Sequence, residues 1–128
     1  ALLEDIPGAG LLAVTSADRL YRDWQAATRA HVNGPGVAPS HIERLLGRLA
    51  PDAGLVTVLD GHPATLAWLG GVARHDIAAL GVENFGQSGD LPDLYRTHGI
   101  DADAILDGAA AVITRRMRRR GALPMAAE

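Results

Sequence analysis

Three short apolar runs, each followed by a segment with helical periodicity, constrain the fold of this chain more than any other feature. The runs cover residues 10–15, 55–59 and 77–82. A continuous apolar run of this length is typical of a strand that is covered on both faces. Because strands and helices alternate, we expect an α/β domain of three layers, with a mostly parallel central sheet of about three strands and helices on both faces.

Capping residues and breakers predict where the helices begin and end. Ser16 and Asp18 are suited to start a helix of about 14 residues, which the glycines and proline of 33–36 end. Ser40 and Glu43 have the spacing of a capping box at the start of a second helix, which Pro51 would end. Further helices are expected over about 63–71, 91–98 and 102–119.

The last predicted helix carries an N-cap, an apolar stripe and a basic end. Asp101 is the expected N-cap, and the stripe expected to face the sheet is Leu106, Ala110, Ile113 and Met117. Five of the six residues 115–120 are arginine. The helix dipole favours a cationic C-terminus, so we expect these arginines to be solvated or to contact a partner domain rather than to bind a polyanion.

The composition excludes several kinds of chemistry. The 128-residue chain has no cysteine, which excludes disulfides and thiolate zinc sites. All 12 of its basic residues are arginine, which excludes a Schiff-base lysine. The formal charge of −3 gives no general attraction to nucleic acid or to an anionic membrane. No apolar run approaches the roughly 20 residues of a membrane helix, and we expect a cytoplasmic protein.

Polar residues follow the predicted strands, at the sheet edge where α/β proteins bind their ligands. The candidates are Ser16, Asp60, His62 and Glu83. A Ser–His–Asp hydrolase would need Ser16 in a Gly-x-Ser-x-Gly elbow, which is absent, and Asp60 is only two residues from His62. The five histidines also lack the spacing of a metal site. Capping and turn roles explain these residues better, and we assign no catalytic residue.

The segment from Gly81 to Ile105 resembles a known family. Residues 81–89 have the pattern Gly-x-x-x-Phe-Gly-x-Ser-Gly, and Leu94-Tyr95-Arg96 and Gly99-Ile100 follow before the last helix. The same order of loop, Leu-Tyr helix, Gly-Ile turn and long helix closes the C-terminal domain of the transketolase superfamily. Residues 14–20 are similar to an earlier strand–turn–helix of that domain. The nearest likeness is to the homodimeric first component of 2-oxo-acid dehydrogenase complexes, pyruvate dehydrogenase in particular.

This resemblance implies a five-stranded mixed sheet in the full family domain, of which the chain would lack the first strand and helix. The parent enzyme would be an oxidoreductase that uses thiamine diphosphate and magnesium, decarboxylates a 2-oxo acid, and passes the acyl group to a lipoyl-bearing acyltransferase. The family's Gly-Asp-Gly cofactor motif is absent, so this chain would hold no cofactor, metal or catalytic residue. It would support domain packing and a homodimer, and would be inactive alone.

From the resemblance we also expect seven residues to take part in packing or in an interface. They are Phe85, Gly86, Ser88, Gly89, Asp90, Tyr95 and Gly99. We expect self-association through an exposed sheet edge or through the faces of Trp24 and Trp68. Two alternatives stay open: the C-terminal domain of another transketolase-type enzyme, and a free-standing α/β module that binds a ligand or a partner. The gene sequence upstream of Ala1 would distinguish a fragment from a module.

Overall fold

The computed structural model describes residues 2–83, 94–96 and 98–121. The chain divides between His41 and Ile42 into two compact units. Within the described ranges, no helix combines the length and the apolar character that crossing a membrane requires.

The first unit contains two helices joined by an irregular segment. Helix α1 spans Leu2–Asp5 and helix α2 spans Ala17–Asn33. α2 starts directly after Ser16, as predicted, and is 17 residues long. It ends at Gly34, whose backbone N–H donates to the carbonyl of Ala30. The breakers in the sequence therefore place the end of α2 correctly.

The strand predicted over residues 10–15 is not formed. The segment is irregular, and the side chains of Leu11 and Leu12 are 86% and 46% exposed. A strand needs a neighbouring strand to pair with its backbone N–H and C=O groups. An apolar run indicates that a segment prefers burial, but it does not supply that neighbour, and the prediction is wrong here.

The second unit contains a parallel sheet. Strand β1 spans Leu55–Val58 and strand β2 spans Ile77–Leu80, with Leu55 opposite Ile77 and Val58 opposite Leu80. Helix α4, Ala64–Ala67, connects them and continues into a 3₁₀ helix, Trp68–Gly71. The α/β class and the parallel pairing are confirmed, but the sheet has two strands in the described residues, where the sequence predicts about three.

Helix α3, His41–Leu46, is shorter than the predicted helix, and its first backbone N–H is bound by a side chain that is distant in sequence. The backbone N–H of His41 donates to Oδ2 of Asp23 at 2.8 Å. Asp23 lies on α2, far from α3 in sequence, so no local pattern indicates this cap. Ile42 and Leu46 are buried, whereas Leu49, which follows the end of α3, is 40% exposed.

Helix α5, Ala102–Arg119, packs on both strands of the sheet. Its bounds and its N-cap are confirmed, since the side chain of Asp101 accepts a hydrogen bond from the N–H of Ala104 at 3.0 Å. The buried residues of α5 are Gly108, Ala109 and Val112. A Cβ atom on Gly108 would lie 3.4 Å from the side chains of both Val56 and Ala78. The small residues of α5 therefore let the helix approach the sheet closely.

The predicted inner stripe of α5 is wrong. Ile113 and Met117 are 38% and 40% exposed, and Ala110 is exposed as well. The sheet-facing side is the one that carries Gly108, Ala109 and Val112. The prediction assigns the face with the largest apolar side chains to the sheet. In the structure the helix approaches the sheet closely through the small residues Gly108 and Ala109.

Candidate functional site

A cleft of about 360 Å³ opens at the carboxyl ends of β1 and β2. This is where open parallel sheets bind ligands, and the volume falls within the roughly 300–1,000 Å³ of small-molecule sites. From the sequence, capping and turn roles are preferred for the residues at this edge, and the structure has a cleft there. Its lining includes Pro63 from the turn after β1, Leu80, Gly81 and Glu83 from the end of β2, and His98 and Gly99.

Gly81 brings together the two turns that follow the strands. A Cβ atom on Gly81 would overlap the carbonyl oxygen of Gly61 and lie 2.8 Å from the backbone nitrogen of Pro63. The N–H of Val82 donates to the same carbonyl of Gly61 at 2.7 Å. The turns thus contact each other backbone to backbone, and glycine is the residue that fits at position 81.

Gly99 directs the chain from the cleft into α5. Its φ is +67°, a left-handed conformation that favours glycine. The N–H of Gly99 donates to the carbonyl of Arg96, and that of Ile100 donates to the carbonyl of Tyr95 at 2.9 Å. Ile100 is buried, while Tyr95 is 40% exposed. Gly99 and Ile100 therefore form a hydrogen-bonded turn that leads into α5.

His62 is used as a helix cap. Its Nδ1 accepts a hydrogen bond from the backbone N–H of Ala64 at 3.1 Å, at the start of α4. Because Nδ1 accepts, the proton of the neutral ring must be on Nε2. Asp60 is exposed in the bend after β1, and Glu83 is exposed on the cleft. Of the strand-end candidates, Glu83 is the one that lines the cleft.

Ser16 belongs to the first compact unit, and its hydroxyl is already engaged. Oγ donates to Oδ1 of Asp18 at 3.0 Å. This hydrogen bond, followed by one from the backbone N–H of Arg19, lowers the pKa of Asp18. The hydrolase hypothesis needs His62 as the base that accepts the proton of Ser16, whereas the hydrogen bond of Ser16 goes to the neighbouring Asp18. The hydrolase hypothesis therefore gains no support from the contacts of Ser16.

The remaining residues of the family-like loop lie outside the described part of the chain. They are Phe85, Gly86, Ser88, Gly89 and Asp90. Among the described residues, no three side chains of His, Asp or Glu form a group that could hold a metal ion.

The arginines at the end of α5 bind two carboxylates of their own unit. Arg116 contacts Oδ1 of Asp52 at 2.9 Å, and Nε of Arg120 donates to its Oδ2. Hydrogen bonds from these two arginines, of which the one from Arg116 has the larger effect, lower the pKa of Asp52 to about 2. Asp52 precedes β1 in the chain, so the pair ties the end of α5 to that loop.

A second pair of arginines binds the loop before β2 in the same way. Arg119 contacts Oδ1 of Asp76 at 2.7 Å, and Arg115 lies 3.7 Å from its Oδ2. Each carboxylate thus faces two arginines four residues apart on the helix, and we call this arrangement the arginine clamp. The sequence predicts solvent or a partner domain around these arginines, whereas the structure places two carboxylates of the same unit there. The sequence signal for this arrangement is an aspartate shortly before each strand, Asp52 before β1 and Asp76 before β2.

Comparisons with protein families, with curated proteins and with solved structures find no match for this chain. A role for the chain therefore has to be argued from the geometry described above and from the pattern of its own residues. That geometry comprises a strand-end cleft, the close backbone contact at Gly81 and the positive φ of Gly99.

Proposed function

We propose that this chain acts as the non-catalytic C-terminal domain of a thiamine-diphosphate-dependent enzyme of the transketolase type, most similar to the homodimeric pyruvate dehydrogenase component. In this role it packs against the other domains of the same enzyme and contributes to its homodimer. The cofactor, the magnesium ion and the lipoyl-bearing acyltransferase that accepts the acyl group belong to the parent enzyme. The chain alone performs no reaction.

The supporting observation is that the described residues of the family-like segment, which begins at Gly81, have backbone roles. Gly81 allows two turns to touch, Gly99 adopts a positive φ, and Asp101 caps α5. Each of these roles fixes the backbone and offers no reactive group. A motif that is used for packing fits a domain whose partners carry the chemistry.

The test is to measure thiamine diphosphate binding to the 128-residue chain by calorimetry in the presence of magnesium. We expect no binding heat, and no decarboxylation of pyruvate in a parallel assay. A complete pyruvate dehydrogenase component, measured in the same buffer, is the positive control. Binding of the cofactor or turnover by the chain alone would refute the proposal.

The gene sequence upstream of Ala1 gives an independent test. Domains with a Gly-Asp-Gly motif and a following Asn would support the assignment to a thiamine enzyme. An initiator codon directly before Ala1 would contradict it and favour a free-standing module.

The cleft favours a second candidate function, an α/β module that binds a small polar molecule at the strand ends. Glu83 and His98 supply hydrogen-bonding groups beside the apolar surface of Pro63 and Leu80. A fragment screen by NMR tests this candidate. Ligand-induced shifts at Gly81 and His98 that disappear in Glu83→Gln would support it, and hits spread over the surface would count against it.

A further inference from the structure

Helix α5 carries an apolar stripe beside the face that holds its buried residues Gly108, Ala109 and Val112. Leu106, Ala110, Ile113 and Met117 recur at intervals of four, three and four residues. At about 100° per residue they fall within roughly 60° of the helix circumference. Leu106 is half-buried, Ala110 is exposed, and Ile113 and Met117 are 38% and 40% exposed. We call these four residues the outer stripe.

Residues of opposite charge lie at the two ends of the outer stripe. Asp103 precedes Leu106 by three residues, and Arg120 follows Met117 by three, so both continue the alternating spacing of the stripe. This 3-4 spacing is the pattern of a helix that packs lengthwise against another helix. The side chain of Arg120 is 59% exposed, and its guanidinium has five N–H donors, of which Nε binds Asp52. It can therefore take a second carboxylate.

We propose that the outer stripe is the docking surface for a second copy of this chain, with the two α5 helices antiparallel about a two-fold axis. In this arrangement Ala110 of one copy faces Ile113 of the other, and Leu106 faces Met117. Asp103 of each copy then meets Arg120 of the other. The small side chain of Ala110 makes room for the larger Ile113.

Charge selects the antiparallel arrangement. A parallel pair would place the acidic ends of the two stripes side by side, and likewise the two arginine-rich ends, which is repulsive. An antiparallel pair brings unlike ends together and sets the two helix dipoles in opposition. One surface that complements itself is what a two-fold interface requires. The second copy is therefore the occupant that fits the stripe.

The expected dimer is weak. An 18-residue helix is about 27 Å long, and four apolar residues per copy bury less than a standard protein interface. We expect a dissociation constant on the order of 10–100 µM. The surface differs from the sheet edge and the tryptophan faces that the sequence suggests. The proposal depends on α5 alone, so the cofactor-binding test has no bearing on its outcome.

Sedimentation velocity of the native chain, Ile113→Glu and Val32→Glu tests the proposal. Val32 is 82% exposed on α2, outside the stripe, so both variants replace an exposed β-branched residue by glutamate. We expect the native chain and Val32→Glu to dimerise alike, and Ile113→Glu to dimerise at least tenfold more weakly. Circular dichroism of all three chains verifies that they are equally folded.

Spin labels report the orientation of the helices. The chain has no cysteine, so Ala102→Cys provides a single labelling site at the exposed start of α5. An antiparallel pair places the two labels about 30 Å apart, whereas a parallel pair places them about 10 Å apart. A monomer at every concentration up to about 1 mM, a dimer unaffected by Ile113→Glu, or the short label distance would each overturn the proposal.

Discussion

At the scale of single residues, Gly81 shows how backbone contact restricts the sequence. The turns after the two strands touch at this position, and an added Cβ atom has no space. We expect Gly81→Ala to lower the free energy of unfolding by about 1–3 kcal/mol, because the overlap involves backbone that cannot move aside. Urea denaturation measures the change.

Gly71→Ala is the matched control for Gly81→Ala. No heavy atom lies within 4 Å of the Cβ position at Gly71, and its φ is not in the left-handed region. This substitution should be neutral or slightly stabilising, since alanine restricts the unfolded chain. Equal stabilities of the two variants would show that the contact at Gly81 carries no constraint.

Because of Asp52, the free energy of unfolding of the second unit should fall as the pH is lowered below about 4. The pKa of Asp52 in the folded chain is about 2, below the ordinary value of 3.8. A lowered carboxylate pKa stabilises the fold above about pH 4, and this contribution is lost as the pH falls toward 2. We expect Asp52→Asn to flatten the dependence of stability on pH between 4 and 2. Parallel curves for the variant and the native chain would contradict this.

Arg116→Gln tests the same contact from its other partner. The hydrogen bond from Arg116 is the largest cause of the lowered pKa of Asp52, so its loss should raise that pKa. We expect the acid-sensitive range to move upward in pH in this variant. Thermal unfolding followed between pH 2 and 5, a range set by the carboxylate pKa, measures the shift.

Local residue roles could be predicted from the sequence, and distant ones could not. Asp101 caps α5 because the cap and the N–H groups it binds are neighbours in sequence. The clamp on Asp52 and the cap that Asp23 provides depend on residues that only folding brings together. In the cleft, Glu83 could be placed from the end of its strand, whereas His98 could not.

At the scale of elements, the strands were predictable only where a partner exists. β1 and β2 each have an apolar run, and they pair in parallel with each other. Along the chain, α4 and the 3₁₀ helix lie between them. Residues 10–15 have a similar run but stay irregular. The hydrophobic pattern gives the tendency of a segment to be buried, while pairing depends on what lies beside it.

The two faces of α5 give an element-scale prediction. Val112 is 4% exposed and packs toward the sheet, whereas its neighbour Ile113 is 38% exposed on the outer stripe. We expect Val112→Ala to cost about 1.5–3 kcal/mol of stability and Ile113→Ala to cost within about 0.5 kcal/mol. Denaturation at about 1 µM protein, well below the expected dimer dissociation constant, keeps association out of the comparison. A larger loss of stability in Ile113→Ala than in Val112→Ala would mean that the stripe predicted from the sequence is the packed face after all.

At the scale of the whole molecule, buried side chains are distributed unequally between the two units. In the described residues of the first unit, Ala27 and Ser40 are buried, while Leu11 and Val32 are 86% and 82% exposed. The second unit has the buried residues Ile42, Leu46, Leu66, Leu69, Val82, Ile100, Ala109 and Val112. Most of the hydrophobic stabilisation therefore belongs to the second unit.

This distribution predicts how backbone amides exchange with solvent. A single helix with little buried surface opens locally at low free energy, whereas strands in a packed core open only with the whole unit. We expect the amides of α2 to exchange at least tenfold faster than those of β1 and β2 in hydrogen-exchange mass spectrometry, at a concentration where the chain is monomeric. Equal protection of α2 and the sheet would show that the first unit gains its stability from contacts beyond its own buried residues. In the parent enzyme that we propose, neighbouring domains would cover residues such as Leu11 and Val32, so α2 should become protected there while the sheet amides change little.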